Sequence, residues 1–151
     1  MVRLVISGDG PLKTELESLV KELSLSEYVY LPGFRKDVGN ILSQVDIFVH
    51  PTYGEGFGLV LLEAMYYGLP IVSTKTMSIP EIVVNGETGI LVPPGDKWAL
   101  AEEILKLIES PELAKKMGMA GKERANLFSV ERMVKSTETL YREFIDKTIP
   151  V

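Results

Sequence analysis

The chain has 151 residues, 46% hydrophobic and 25% charged, with 16 Lys and Arg against 21 Asp and Glu, a formal net charge of −5. This is one domain's worth of ordinary globular composition, and its acidic balance gives no global basic field to recruit nucleic acid or anionic lipid. With no cysteine there is no disulfide framework and no thiolate zinc site, and the single histidine, His50, has no close acidic cluster around it, which argues against a metal centre.

Val2–Ser7 is a nearly continuous apolar run closed by Gly8-Asp9-Gly10-Pro11, the pattern of a buried parallel strand. Met1-Val2-Arg3-Leu4 leads straight into it, so no signal peptide is expected. No apolar run reaches the roughly 20 residues of a membrane span. A cytoplasmic location is the default expectation, with peripheral membrane association left open for a larger enzyme. Pro11 suits a helix start, and Leu12, Leu16, Leu19, Val20 and Leu23 follow helical spacing as core positions. Tyr28–Leu31 reads as a strand ended by Pro32-Gly33. Residues 33–37 form a polar loop, and Val38–Gln44 a short helix.

The stretch at 50–68 carries the chemistry. Asp46–Val49 and Leu69–Ser73 are strand-like runs on either side of Gly54, Gly56 and Gly58 and a helix over 58–67. Three glycines let a ligand approach the backbone closely, and the N–H groups opening the helix favour an anion such as phosphate. Glu63 is the only charge in Leu59–Tyr67. The helix therefore reads as buried nearly all round, with a carboxylate that needs a partner. Blander readings stand beside these: Glu55 as an acid near a helix start, and Glu63 reaching solvent at the helix edge. His50 either bonds near the ligand or packs under the following loop, the second reading being preferred. Thr52 either bonds the ligand or satisfies its own turn.

Thr74–Ser78 is a polar loop before a short helix over 79–84. Asn85–Gly89 is a turn, and Ile90–Val92 a last strand stopped by Pro93-Pro94-Gly95. Asp96 is a suitable N-cap for a helix to Ile108. Ser110-Pro111 opens another to about Asn126, and Ser129 caps a last one to about Lys147. These last three helices are expected to pack on the sheet's flank or swing toward a partner domain. Arg35, Lys36 and Lys75 read as solvated, and Trp98 and Tyr141 as core or helix-packing residues. Alternating strands and helices indicate an α/β fold, a parallel sheet flanked by helices in a single domain over 1–151.

Glu55-x7-Glu63, set in Glu-Gly-Phe-Gly-Leu-Val-Leu-Leu-Glu-Ala-Met, resembles the signature of the group 1 (family 4) retaining glycosyltransferases, which pair two Rossmann-like domains in the GT-B arrangement. Val5–Pro11, Tyr30–Phe34, Pro80–Val83, Gly86–Val92 and Phe128-Ser129 resemble successive motifs of the family's carboxyl-terminal, donor-binding domain. The resemblance implies a nucleotide-diphosphate sugar as donor substrate, transfer with retention, and no metal or other cofactor. It implies that Glu63 accepts from the ribose hydroxyls and that Glu55, a catalytic group, holds the transferred sugar rather than attacking it. Backbone at Gly56, Phe57 and Gly58 would line the sugar side. N–H groups at Gly58, Leu59 and Val60 would meet the diphosphate, with Thr52 as a further contact, and backbone at Phe34 and Arg35 would meet the base.

Two departures stand out. Met77 and Ser78 occupy positions where the family usually has two glycines, in a loop that approaches the donor sugar. The family's first strand and helix, with an Arg and a Lys that clamp the diphosphate, are absent, as is the amino-terminal acceptor domain. The chain is thus expected to be a fragment, inactive alone, with an exposed interdomain face that could self-associate. If the sheet closes its gap, the strand at 2–7 pairs directly with that at 46–49. A non-catalytic nucleotide-sugar-binding or interaction module is the alternative function, and a GT-B nucleotide-sugar epimerase a more distant one.

Overall fold

The computed structural model describes residues 1–148, with side chains described through Ile145, and groups them into two compact units, the first covering Met1–Ile41 and the second beginning at Leu42. In the first, β1 (Leu4–Ser7), α1 (Lys13–Glu22) and β2 (Val29–Gly33) form a parallel β-α-β unit, followed by α2 (Val38–Leu42), which runs to the boundary. Leu4 pairs with Val29 and Val5 with Tyr30. The register then shifts so that Ser7 meets Gly33.

The strands and helix fall where the sequence places them, but their burial differs. A parallel strand is buried only when helices cover both of its faces. Here no residue of α1 is buried, and Leu4, Val5, Leu12, Leu19 and Leu23 are exposed instead of forming a core.

The second unit holds β3 (Phe48–His50), α3 (Leu59–Tyr66), β4 (Ile71–Thr74), α4 (Ile79–Ile82), β5 (Gly89–Val92), α5 (Lys97–Glu109), α6 (Pro111–Ala125) and α7 (Val130–Thr148). Its sheet is parallel in the order β3-β4-β5. The three strands are in step: Phe48, Ile71 and Gly89 lie side by side, as do His50, Ser73 and Leu91. β4 is the middle strand and is buried at all four residues. Val72, Ile90 and Val92 pack with Leu107 of α5 and Met117 of α6, while α3 contributes Leu61, Ala64 and Met65. Each fully buried aliphatic side chain of this kind contributes about 1.5–3 kcal/mol.

Among the described residues the ladders are β1–β2 in the first unit and β3–β4–β5 in the second, all joining strands consecutive in the chain, the arrangement short crossovers favour. One expectation is overturned: Trp98 and Tyr141 are exposed rather than packed. Trp98 is the second residue of α5; the two that follow it, Ala99 and Leu100, pack against the core instead, and the Lys97 ammonium stands 5.4 Å from the Trp98 ring. Tyr141 lies on α7, whose apolar positions Val130, Met133, Val134, Leu140 and Phe144 are likewise exposed. The capping expectations hold: Asp96 Oδ1 accepts from the Trp98 and Ala99 N–H groups, and Ser129 Oγ from that of Arg132.

Backbone contact fixes how α6 packs. A Cβ added at Gly118 would stand 1.9 Å from the Gly68 carbonyl oxygen, at the turn that ends α3. In an unconstrained helix, Gly to Ala is worth close to 1 kcal/mol of added stability. Here the sign should reverse: Gly118→Ala is expected to lose about 1–3 kcal/mol in urea denaturation, and a variant more stable than its parent would contradict this packing.

Candidate functional site

In open parallel sheets, ligands bind beyond the carboxyl ends of the strands. β3 delivers its carboxyl end, His50, into the loop Pro51–Gly58, and that loop into α3. Thr52 closes the first part of the loop on itself: its Oγ1 donates to the Gly54 carbonyl at 2.8 Å and accepts from the Gly54 N–H at 3.1 Å. The self-satisfied reading of Thr52 therefore describes its hydroxyl. His50 and Glu55, both half-buried, meet at 3.2 Å between Nε2 and Oε2. His50 thus both packs beneath the loop and orients the loop's carboxylate.

Gly58 begins α3 from the left-handed region, with φ +91°, and no side chain caps that helix end. The left-handed backbone favours glycine there, and a Cβ would stand close to Leu61 Cδ1 at 3.0 Å and Glu55 Cγ at 3.3 Å. The first N–H groups of a helix have no intrahelical acceptor. At Leu59 and Val60 they remain available for a ligand's anion.

The expectation that α3 is buried nearly all round is corrected. Leu61, Ala64 and Met65 face the core, but Leu59, Glu63, Tyr66 and Tyr67 are exposed. Leu59 and Glu63 are four residues apart and so share one face of the helix. The Glu63 carboxylate needs no internal partner because it stands in solvent, just below the uncapped helix start. Phe57, just before Gly58, sets its ring edge-to-face on Phe128 at 6.2 Å.

What holds this turn is a set of hydroxyls that the sequence reading passed over. Ser73 Oγ donates to the His50 carbonyl, Thr74 Oγ1 to that of Thr52, and Thr76 Oγ1 to that of Tyr53. Ser78 Oγ is shared between the carbonyls of Glu55 and Phe57, at 3.2 Å each. Residues 73–78 are thus stitched along the whole length of the loop that carries Glu55. The spacing Ser-Thr-x-Thr-x-Ser was the available signal, hidden because the segment scored simply as polar loop. Arg124 of α6 was missed as well. It donates to the Ile82 and Glu81 carbonyls at the end of α4, anchoring the far side of the same segment.

Phe34 and Arg35 belong to the first unit, on the turn after β2, and both are exposed. The Arg35 guanidinium donates twice to the Asp37 carboxylate, at 2.7 and 2.6 Å. That pairing, chiefly through the hydrogen bonds, holds Asp37 down to about 2. Lys75 is exposed, as expected. Among the described residues no three His, Asp or Glu side chains come together as a metal site, and no helix is long and apolar enough to cross a membrane.

Comparison with known proteins places these features in context. The family model "Glycosyl transferases group 1" matches residues 1–124. N-acetyl-alpha-D-glucosaminyl L-malate synthase of Bacillus anthracis is 34% identical over 144 residues, 95% of this chain and 38% of its own. The structure of Anabaena Alr3699/HepE in complex with UDP superposes with a TM-score of 0.85 at 30% identity, over 93% of this chain and 41% of that one. The carboxyl-terminal domain of a group 1 glycosyl transferase (LpcC) from Francisella tularensis superposes with a TM-score of 0.77 at 30% identity, over 85% and 70% respectively. The chain therefore spans about two-fifths of the length of the full-length proteins it resembles.

The hydroxyl stitching makes a prediction of its own. Thr74→Val keeps the shape of a buried strand residue and adds apolar surface, yet it leaves the Thr52 carbonyl without the donor it has now. The variant should lose about 1–3 kcal/mol in chemical denaturation; stability equal to or above the parent's would show that the hydroxyl does not hold the loop.

Proposed function

The chain belongs to the group 1 glycosyl transferases, and from that premise we propose that it is the donor-binding part of an enzyme that transfers a sugar from a nucleotide diphosphate with retention of anomeric configuration. One observation carries the reading. At the carboxyl end of the sheet, a glycine-rich turn bearing Glu55 leads into an uncapped helix start, and Glu63 stands exposed one turn further along that helix. The HepE neighbour, solved with UDP, makes UDP the first nucleotide to test.

Each group then has a task. The leaving diphosphate carries negative charge, which the N–H groups of Leu59 and Val60 and the helix dipole stabilise. Glu63, on the open face below them, accepts from the two ribose hydroxyls; a carboxylate suits this because it offers lone pairs and no competing donor. Glu55, its orientation set by His50, accepts from hydroxyls of the transferred sugar and holds the anomeric carbon in register.

The bond that breaks joins the anomeric carbon to the diphosphate oxygen, and the bond that forms joins that carbon to the acceptor's oxygen. The acceptor's proton passes to the departing diphosphate, so retention follows from attack on the face the leaving group vacates. No carboxylate nucleophile is needed. The acceptor site and any cationic clamp on the diphosphate would come from polypeptide matching the part of its relatives that this chain does not span. The chain alone is accordingly assigned weak donor binding without transfer.

Ligand-observed NMR with UDP, alongside Glu63→Ala, tests this. The unmodified chain should bind UDP, and the variant, which remains folded because its side chain is in solvent, should bind about ten-fold more weakly. That is the loss expected for a hydrogen bond to a charged group worth about 1.5–3 kcal/mol. Equal binding by parent and variant would remove Glu63 from the site. Donor binding by a longer protein that transfers nothing to any acceptor would favour the reading as a pure binding module.

A further inference from the structure

Met77 is one of two non-glycine residues with a left-handed backbone among the described residues, at φ +43°. A methionine pays for that conformation where a glycine would not, and such outliers persist only when the surroundings hold them in place. Here they do. Thr76, on one side, is tied to the Tyr53 carbonyl, and Ser78, on the other, to those of Glu55 and Phe57. Pinned at both neighbours, Met77 holds its side chain against the turn. Its Sδ is 3.4 Å from where a Cβ on Gly54 would stand, yet the residue remains 74% exposed. So the thioether covers the backbone next to Glu55 and presents its outer side to solvent.

Nothing in the packing of the core requires a large apolar side chain at that place. What it does is to raise a wall over Gly54, the residue that precedes the glutamate assigned to the sugar. A thioether makes no directional demand on hydroxyls, so such a wall discriminates by bulk rather than by hydrogen bonding. Resting on the donor-site reading above, we propose that Met77 is a specificity-determining residue, its strained backbone fixing a side chain that limits the size of the sugar accepted next to Glu55.

The chain and two variants, Met77→Gly and Met77→Ala, would be titrated with UDP, UDP-glucose and UDP-N-acetylglucosamine by ligand-observed NMR. In both variants affinity for UDP alone should be unchanged. The affinity for UDP-N-acetylglucosamine relative to UDP-glucose should rise by about ten-fold, the scale on which a pocket wall discriminates by size. The two variants separate strain from bulk: Met77→Gly should also melt at a higher temperature than the parent, because glycine accepts the left-handed backbone, while Met77→Ala should not. An unchanged ratio in both variants, with UDP still bound, overturns the proposal alone. Failure of the unmodified chain to bind UDP overturns the donor-site reading, and the proposal with it.

Discussion

The candidate site depends on hydrogen bonds between two loops that follow neighbouring strands. Ser73, Thr74, Thr76 and Ser78 donate to carbonyls spread from His50 to Phe57. A loop containing three glycines within five residues has little conformational preference of its own, and ordering it costs about 1–2 kcal/mol of backbone entropy per residue. Hydroxyls on the end of the buried middle strand and on the loop that follows it offset that cost and fix where Glu55 and the start of α3 stand. Because β3 and β4 are in step, the donors arrive beside their acceptors without further adjustment. The sheet register thus determines the geometry of the site.

The same arrangement accounts for the roles of residues that touch no proposed ligand. Arg124 fastens α4 to α6, so the segment that supplies the hydroxyls is held at its far end as well. Gly118 lets α6 come close enough to the turn after α3 for that to happen. Phe57 and Phe128 tie the turn itself to the residues that follow α6. The first unit is organised differently: its β-α-β hydrogen bonding is intact, but its apolar side chains are largely exposed.

Much of this was legible in the sequence, for identifiable reasons. The strands and helices follow from apolar runs, proline and glycine punctuation and capping residues. Asp96 and Ser129 cap the helices they were expected to cap. The glycine-rich turn and its two glutamates were visible because their spacing is unusual. Burial was less legible, since periodicity shows which residues share a face but not whether anything covers it. Leu12, Leu19 and Leu23, at helical spacing along α1 and its two flanking residues, are exposed. The apolar run around Glu63 concealed a helix with one open side. The hydroxyl contacts were beyond reach for another reason: they join residues 20 or more apart, and only the register of β3 on β4 shows that they meet. Met77 was visible as an odd residue, but its left-handed backbone was not.

We propose that this stitched turn presents the start of α3 to a diphosphate. Addition of UDP to the isotopically labelled chain, read through its backbone amide shifts, should move Gly56, Gly58, Leu59 and Val60 most, with Glu63 following. Changes confined instead to the neighbouring cleft formed by Tyr53, Thr74, Lys97 and Leu100, or no change at any UDP concentration, would contradict it.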